Sequence, residues 1–205
     1  MMEHTGPDTG LVDHIGLTCP NCQPIVTFNP SHRQRIVEHV GAHILYDASV
    51  DRHSEPCGLC LRPVPLCKIV LKRTKGHMGN LAIDMKASSC PNLVKFSLAI
   101  AGECSSSSPC TNRPIICPHC HDFESRSPVI WSYNFRFHLL HKHPRVSFED
   151  HTDILTLTKL EKDGMKRVWE HHLKQRKVHR KSQHAPLVIS ETHRARLVLK
   201  YVFLF

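Results

Sequence analysis

With 205 residues, ten cysteines, eighteen histidines and only 6% aromatic residues, the chain has the length of one or two ordinary domains but shows no single large apolar core. No run of about 18 apolar residues exists to span a bilayer, and the opening MMEHTGPDTG has neither the basic nor the apolar region of a secretory signal. No P-loop, dinucleotide glycine fingerprint or nucleophile elbow is present, so the common nucleotide-dependent and acyl-transfer enzymes are not expected.

Charge is concentrated. Residues 159 to 200 hold 12 Lys and Arg against 4 Asp and Glu, which leaves 15 against 14 for the rest of a chain whose net charge is +9. A basic block of this kind suggests a polyanionic partner or a nuclear-import signal. Without an export signal the cysteines are expected in a reducing compartment, where C-x2-C pairs are metal ligands rather than disulfides.

Residues 1–16 are polar, with Gly and Pro, and read as a disordered leader. The first module, 17–46, opens on Cys19-Pro-Asn-Cys22, followed by a strand-like run from Pro24 to Phe28. Ser31 with Gln34 has the spacing of a capping box, which predicts a helix from there to about Tyr46. On that helix Ile36 and Val40 repeat at four-residue spacing and so do His39 and His43, so both imidazoles can meet one metal ion with Cys19 and Cys22.

A polar linker, 47–56, contains a false lead. His53-Ser-Glu55-Pro-Cys57-x-x-Cys60 joins both halves of the zinc-deaminase signature, which in such enzymes sit on separate helices. Abutting, they would crowd every ligand onto one turn, and the reading is dismissed.

The module at 55–112 reads as strands. Lys68 to Arg73 and Leu81 to Met85 flank a Gly-containing connection, 75–80, as in a hairpin, and Val94, Phe96, Leu98 and Ile100 alternate with more polar residues as in a third strand. A sheet this small needs a staple. The expected one is a four-cysteine site of Cys57, Cys60, Cys90 and Cys110, with Cys67, His77 and Cys104 competing for the third and fourth positions.

At 113–146 the pattern returns: Cys117-Pro-His-Cys120, then His138 and His143 with four residues between them, stopped by Pro144. A helix is predicted over Trp131 to His143, with Ser127-Pro128 leading into it and Trp131, Phe135 and His138 on one face. His141 is an alternative second ligand, although its separation from His138 is shorter than the spacing this kind of site prefers.

Residues 147–182 read as a helix capped by Thr158 and Glu161. Its apolar stripe is Met165, Val168, Trp169, His172 and Leu173, interrupted by Gly164, and its other faces carry Lys166, Arg167, Lys174, Arg176, Lys177, Arg180 and Lys181. In 183–205 a last helix is predicted from Ser190, before an apolar end at 201–205 too short to cross a membrane.

The expected fold class is therefore small zinc-stabilised α+β modules, two ββα fingers flanking a small cysteine-rich β-sheet module and followed by basic helices. The two histidine-bearing modules resemble C2H2-type zinc fingers, the first with an extended or BED-like hairpin, and the central module resembles a zinc ribbon. The order of finger, cysteine-rich module, finger and basic tail, over residues 17 to 200, also resembles a family of uncharacterised fungal zinc-finger proteins.

The resemblance to DNA-binding C2H2 fingers implies base-reading positions at His32, Arg35 and Glu38 in the first finger. In the second they fall on Trp131, Asn134 and Phe137, where two aromatics are poor readers of base edges. More than 70 residues separate the fingers, so a tandem three-base register does not carry over.

The expectation is a nuclear zinc-binding protein holding two to three Zn2+ ions. It would bind nucleic acid, DNA rather than RNA, as a transcription regulator or transposon-derived DNA-binding module, with the basic arm on phosphates. The alternative is a zinc-stabilised adaptor that contacts a protein through Trp131, Phe137 and the carboxy-terminal tail. Neither reading needs a membrane or a catalytic centre.

Overall fold

The computed structural model describes residues 17–74, 81–120 and 129–183, with side chains to residue 178. The expected features at 1–16, the connection at 75–80 with His77, Ser127-Pro128, the last helix and the apolar end all lie outside these residues, as do the side chains of Arg180 and Lys181.

The chain begins with β1 (Leu17–Cys19) and β2 (Val26–Phe28), antiparallel with Leu17 opposite Phe28, followed by α1 (Arg33–Tyr46). The helix starts two residues later than the capping box implied. The Asn29 side chain accepts from the Ser31 amide at 2.9 Å and the Asn29 carbonyl from the His32 amide at 3.0 Å, so an Asx turn delivers the chain into the helix. Gln34 reaches instead to the Cys110 carbonyl at 3.4 Å. Ile36, Val37, Val40 and Ile44 bury one face of α1, and His39 and His43 lie beside them.

The polar linker is folded against this helix. Arg52, in a short 3-10 turn (Arg52–Ser54), donates to the carbonyls of Ile44 at 2.8 Å and Asp47 at 3.3 Å. A guanidinium there satisfies carbonyls that the last helical turn leaves open and meets the negative end of its dipole.

The hairpin β3 (Leu71–Arg73) and β4 (Leu81–Ile83) is present as expected, with Leu71 opposite Ile83. The third strand is not. Burial alternates from Val94 to Leu98, but no strand pairs with this stretch among the described residues, and Ser97 caps a short helix, α2 (Leu98–Ala101), that leaves Ile100 exposed. Alternation reported which side chains face inward without supplying a neighbour to complete a ladder.

Next come β5 (Pro114–Ile116) and β6 (Val129–Trp131), antiparallel, a 3-10 turn (Ser132–Asn134) and α3 (Phe135–Lys142). The expected helix thus starts four residues later, and Trp131 lies on a strand. Val129, Ile130 and Trp131 are all buried, and a strand covered on both faces shows no alternation to betray it. After another 3-10 turn (Glu149–His151), α4 (Thr152–Leu155) leads into α5 (Lys159–Gln183), where Thr158 Oγ1 accepts from the Glu161 amide at 3.2 Å as the cap predicted.

The modules are not independent. One continuous core joins Phe28, Ile36 and Val40 of the first to Leu59, Leu71 and Val94 of the second, Trp131 and Tyr133 of the third, and Met165 of α5, correcting the expectation that no sizeable core exists. A smaller cluster, Cys117, Ile130, Phe135 and Leu139, lies beneath the third module. Glu161 ties α5 down as well: its carboxylate accepts from the Tyr133 hydroxyl, the Thr111 hydroxyl and the Thr111 amide. Trp131 is part of this core, so it cannot be a partner-binding aromatic as the adaptor reading supposed; a Cβ added to Gly58 would stand 2.3 Å from its ring.

Gly164 breaks the apolar stripe of α5 because the helix crosses Pro109 there, and an added Cβ would lie 2.3 Å from the Pro109 Cβ. Helix propensity alone predicts that Gly164→Ala stabilises by about 1 kcal/mol. Against a rigid ring the overlap should win, and the variant is expected to lose about 1 to 3 kcal/mol in urea unfolding of the zinc-loaded protein.

Candidate metal centres

Three groups of four side chains bring one ligand atom each to within 4.8 Å of all the others: Cys19, Cys22, His39 and His43; Cys57, Cys60, Cys67 and Cys90; and Cys117, Cys120, His138 and His143. In the first, Cys22 Sγ lies 3.3 Å from Nε2 of both His39 and His43, and Cys19 Sγ lies 3.6 Å from His43 Nε2. In the third, Cys120 Sγ is 3.4 Å from His138 Nε2 and 3.3 Å from His143 Nε2. A tetrahedron with arms of roughly 2.0 to 2.3 Å has edges of roughly 3.3 to 3.8 Å, so these separations suit donors around one zinc ion. His143 rather than His141 completes the third group.

The central group corrects the sequence reading at one position. Cys67 takes the place assigned to Cys110, and Cys57 and Cys90 stand with their sulfurs 3.8 Å apart. After Cys60 the chain turns back through Leu61, held at φ 59° in the left-handed region, with its amide on the Cys57 carbonyl at 2.9 Å. That reversal returns Cys67 to the knuckle. Cys110 packs instead against α1, its sulfur 3.6 Å from the Val37 carbonyl, where burial pushes the thiol up to about 12. Cys104 belongs to none of the three groups.

The chemistry of the donors favours a cation. Cys19 is held far below the ordinary thiol range by its hydrogen bond with Cys22, while Cys22 is pushed far above it by the same contact and by burial. Cys60 is likewise held low by hydrogen bonds with Cys57, Cys67 and Cys90, and Cys57 is driven up by its contacts with Cys60, Cys67 and Cys90. In the first and central groups the sulfurs compete for negative charge, and a divalent ion at the centre would let all of them ionise. Backbone amides already point at them: Leu59 N donates to Cys57 Sγ at 3.5 Å and His119 N to Cys117 Sγ at 3.4 Å.

Two carboxylates orient the imidazoles. His43 Nδ1 contacts Asp47 Oδ2 at 2.8 Å, and His138 Nδ1 contacts Glu55 Oε1 at 2.6 Å, so in both rings Nε2 is left to face the sulfurs. Burial works to raise Asp47, but hydrogen bonds from Ser49 and His43 outweigh it and keep the carboxylate below its usual range. The hydrogen bond from His138 does the same for Glu55, whose backbone sits at φ 53°. Glu55, half of the dismissed deaminase pattern, thus supports a ligand 83 residues away. Asp47 follows His43 at helical spacing, a signal the sequence carries; nothing in the sequence connects Glu55 with His138.

The expected base-reading residues separate. His32 and Arg35 are exposed, but Glu38 is buried and pairs with Arg35 at 3.5 Å, so it is not offered to a base edge. Trp131 and Asn134 are buried too, and Phe137 is half-buried beneath the Arg52 guanidinium at 5.5 Å. On α5, Lys166, Arg167, Lys174 and Lys177 are exposed, and Arg176 is partly covered. None of these five cations has a carboxylate within ion-pair distance among the described residues.

Native mass spectrometry of protein made with zinc is expected to count three ions. Cys67→Ser should lower the count to two, whereas Cys110→Ser should keep three. Glu55→Gln should weaken the third site about 10- to 100-fold in competition with a chelator while the first site holds its metal.

No family model matches the chain, no curated protein matches its sequence and no solved structure matches its fold, and the functional reading therefore stands on these ligand groups and on the charged surface around them.

Proposed function

We propose that this is a nuclear zinc-binding protein in which zinc is structural and the basic face of α5 binds nucleic acid, DNA in preference to RNA, through its phosphates. Four protein donors at each centre leave a bound zinc no open position, which supports a scaffold rather than a catalyst. The histidine-bearing modules are taken to be C2H2-type fingers, each a two-stranded hairpin followed by a ligand-bearing helix.

The observation that carries the reading is the set of cations at 166, 167, 174 and 177, without carboxylate partners among the described residues, on a helix whose opposite side is fixed to the core through Glu161, Met165 and His172. Cations held on a rigid helix and free of carboxylate partners suit a polyanion. With Glu38 buried, binding is led by the backbone of the nucleic acid, and strong discrimination between sequences is not expected.

A salt titration tests this. For a labelled DNA duplex, log K should fall linearly with log salt, with a slope of about −0.9 for each phosphate neutralised. Lys166→Gln combined with Lys174→Gln should reduce that slope by about 2 with little change in relative affinity among unrelated duplexes. Affinity indifferent to salt would overturn the proposal.

A further inference from the structure

A groove of about 760 Å³ is lined by Leu81 and Ala82 of β4, by the 95–99 segment, and by β5, and no metal-group residue and no residue of α5 is among its lining. All three residues of β5, Pro114, Ile115 and Ile116, line it. Successive side chains on a strand point to opposite faces, so a cavity that meets every residue in turn meets the strand at its edge.

The register agrees. Ser132 N donates to the Arg113 carbonyl at 2.9 Å, which makes 113 and 132 a hydrogen-bonded pair and, two residues on, Ile115 and Ile130 another. Pro114 and Ile116 therefore turn their backbone groups away from β6: the Pro114 carbonyl and both the amide and the carbonyl of Ile116. On the opposite wall Asp84 N donates to the Val70 carbonyl at 2.8 Å, so by the same alternation Leu81 presents its backbone groups away from β3. Each sheet has two strands, and among the described residues neither of these edges is covered by a third.

The surroundings are apolar and cationic. Phe96 and Leu98 form part of the lining, and Leu81 and Ile116 are large exposed apolar residues at its walls. Arg33, Lys95 and Arg113 also line it, no Asp or Glu does, and none of the three cations has a carboxylate partner among the described residues. Arg33 and Arg113 are fixed in place by hydrogen bonds to the carbonyls of Lys95 at 2.8 Å and Leu98 at 3.4 Å.

We propose that this groove docks an extended segment of a partner protein, one that alternates aliphatic and acidic residues and adds as a strand to the free edge of β5. Main-chain hydrogen bonds to Pro114 and Ile116 supply the pairing, aliphatic side chains fill the groove, and carboxylates meet Arg33, Lys95 and Arg113. The proposal is independent of the nucleic-acid reading, since it uses none of the cations of α5.

The test uses the zinc-loaded full chain and a fluorescein-labelled peptide, Asp-Val-Glu-Ile-Asp-Val-Glu, with a control in which Lys replaces each acidic residue. Saturable binding of the acidic peptide alone is expected, weakened at least about tenfold by Arg33→Glu with Lys95→Glu, both exposed positions whose exchange should leave the zinc count unchanged. Hydrogen exchange at the Ile116 amide should slow when the peptide is bound. The proposal fails if the acidic peptide does not bind, if the double variant binds it equally well, or if the Ile116 amide is not protected. It fails also if a DNA oligonucleotide displaces the peptide and protects the same amide, because the groove would then be a nucleic-acid site.

Discussion

Mutual repulsion among closely packed sulfurs is the constraint on which the fold depends. Four of the ten cysteines and four histidines converge in the two mixed groups and the central group adds four sulfurs, the first and central groups in the main core and the third in the smaller cluster. A dication removes the conflict, and structural zinc in finger peptides contributes about 10 to 16 kcal/mol of apparent binding energy that is also folding energy. That is as large as the whole net stability of an ordinary domain, about 5 to 15 kcal/mol, so zinc bound at these groups would make metal content and the folded state one equilibrium. Neutral imidazoles leave the two mixed sites with a formal charge near zero, whereas four thiolates leave the central site with an excess of negative charge. The amide of Leu59, aimed at Cys57, is one of the dipoles that offset it.

What unites the modules is a small number of polar contacts laid across a shared apolar core. Asn92, which is buried, donates to the carbonyls of Thr18 and Leu59 at 2.7 Å each, joining the first hairpin to the central knuckle. Arg52 closes the end of α1, and its own carbonyl accepts from Asn134 at 2.9 Å, joining the first module to the third. Glu55 then connects the approach to the central knuckle with a ligand of the third site. A buried polar group left without its partner costs about 1 to 3 kcal/mol, so each of these contacts penalises separation of the modules as well as favouring their union.

Local spacing made much of this legible. Each C-x2-C knuckle, the paired histidines at 39 and 43 and at 138 and 143, the hairpin of β3 and β4, and the cap at Thr158 are all short-range patterns written within a few residues of one another. Errors came where a side chain's role is fixed by distant chain. Cys67 looks like a lone thiol until the left-handed turn at Leu61 is known, and Cys110 looks like a ligand until its pocket against Val37 is known. Trp131 and Phe135 have helical spacing, yet the run from Val129 to Trp131 is a strand buried on both faces, whose lack of alternation resembles any apolar stretch. The third expected strand failed for the converse reason: its residues alternate in burial, but a ladder also needs a partner.

The packing of α5 also bears on what the first module can contact. Met165, Val168 and His172 lie along α1, and the His172 ring stands 3.9 Å from that of His39, so one side of the ligand-bearing helix is covered by the chain itself. On another side Glu38 is enclosed near Ser108, where burial raises its carboxyl above the usual range. A helix enclosed in this way cannot lie deep in a major groove, which must accommodate the cylinder and its reading side chains together. The same packing presents the outer side of α5 as a firm row of cations, which suits the regular spacing of phosphates. Under the proposed function, the arrangement that closes one route to a nucleic acid leaves another, contact with its backbone rather than with base edges.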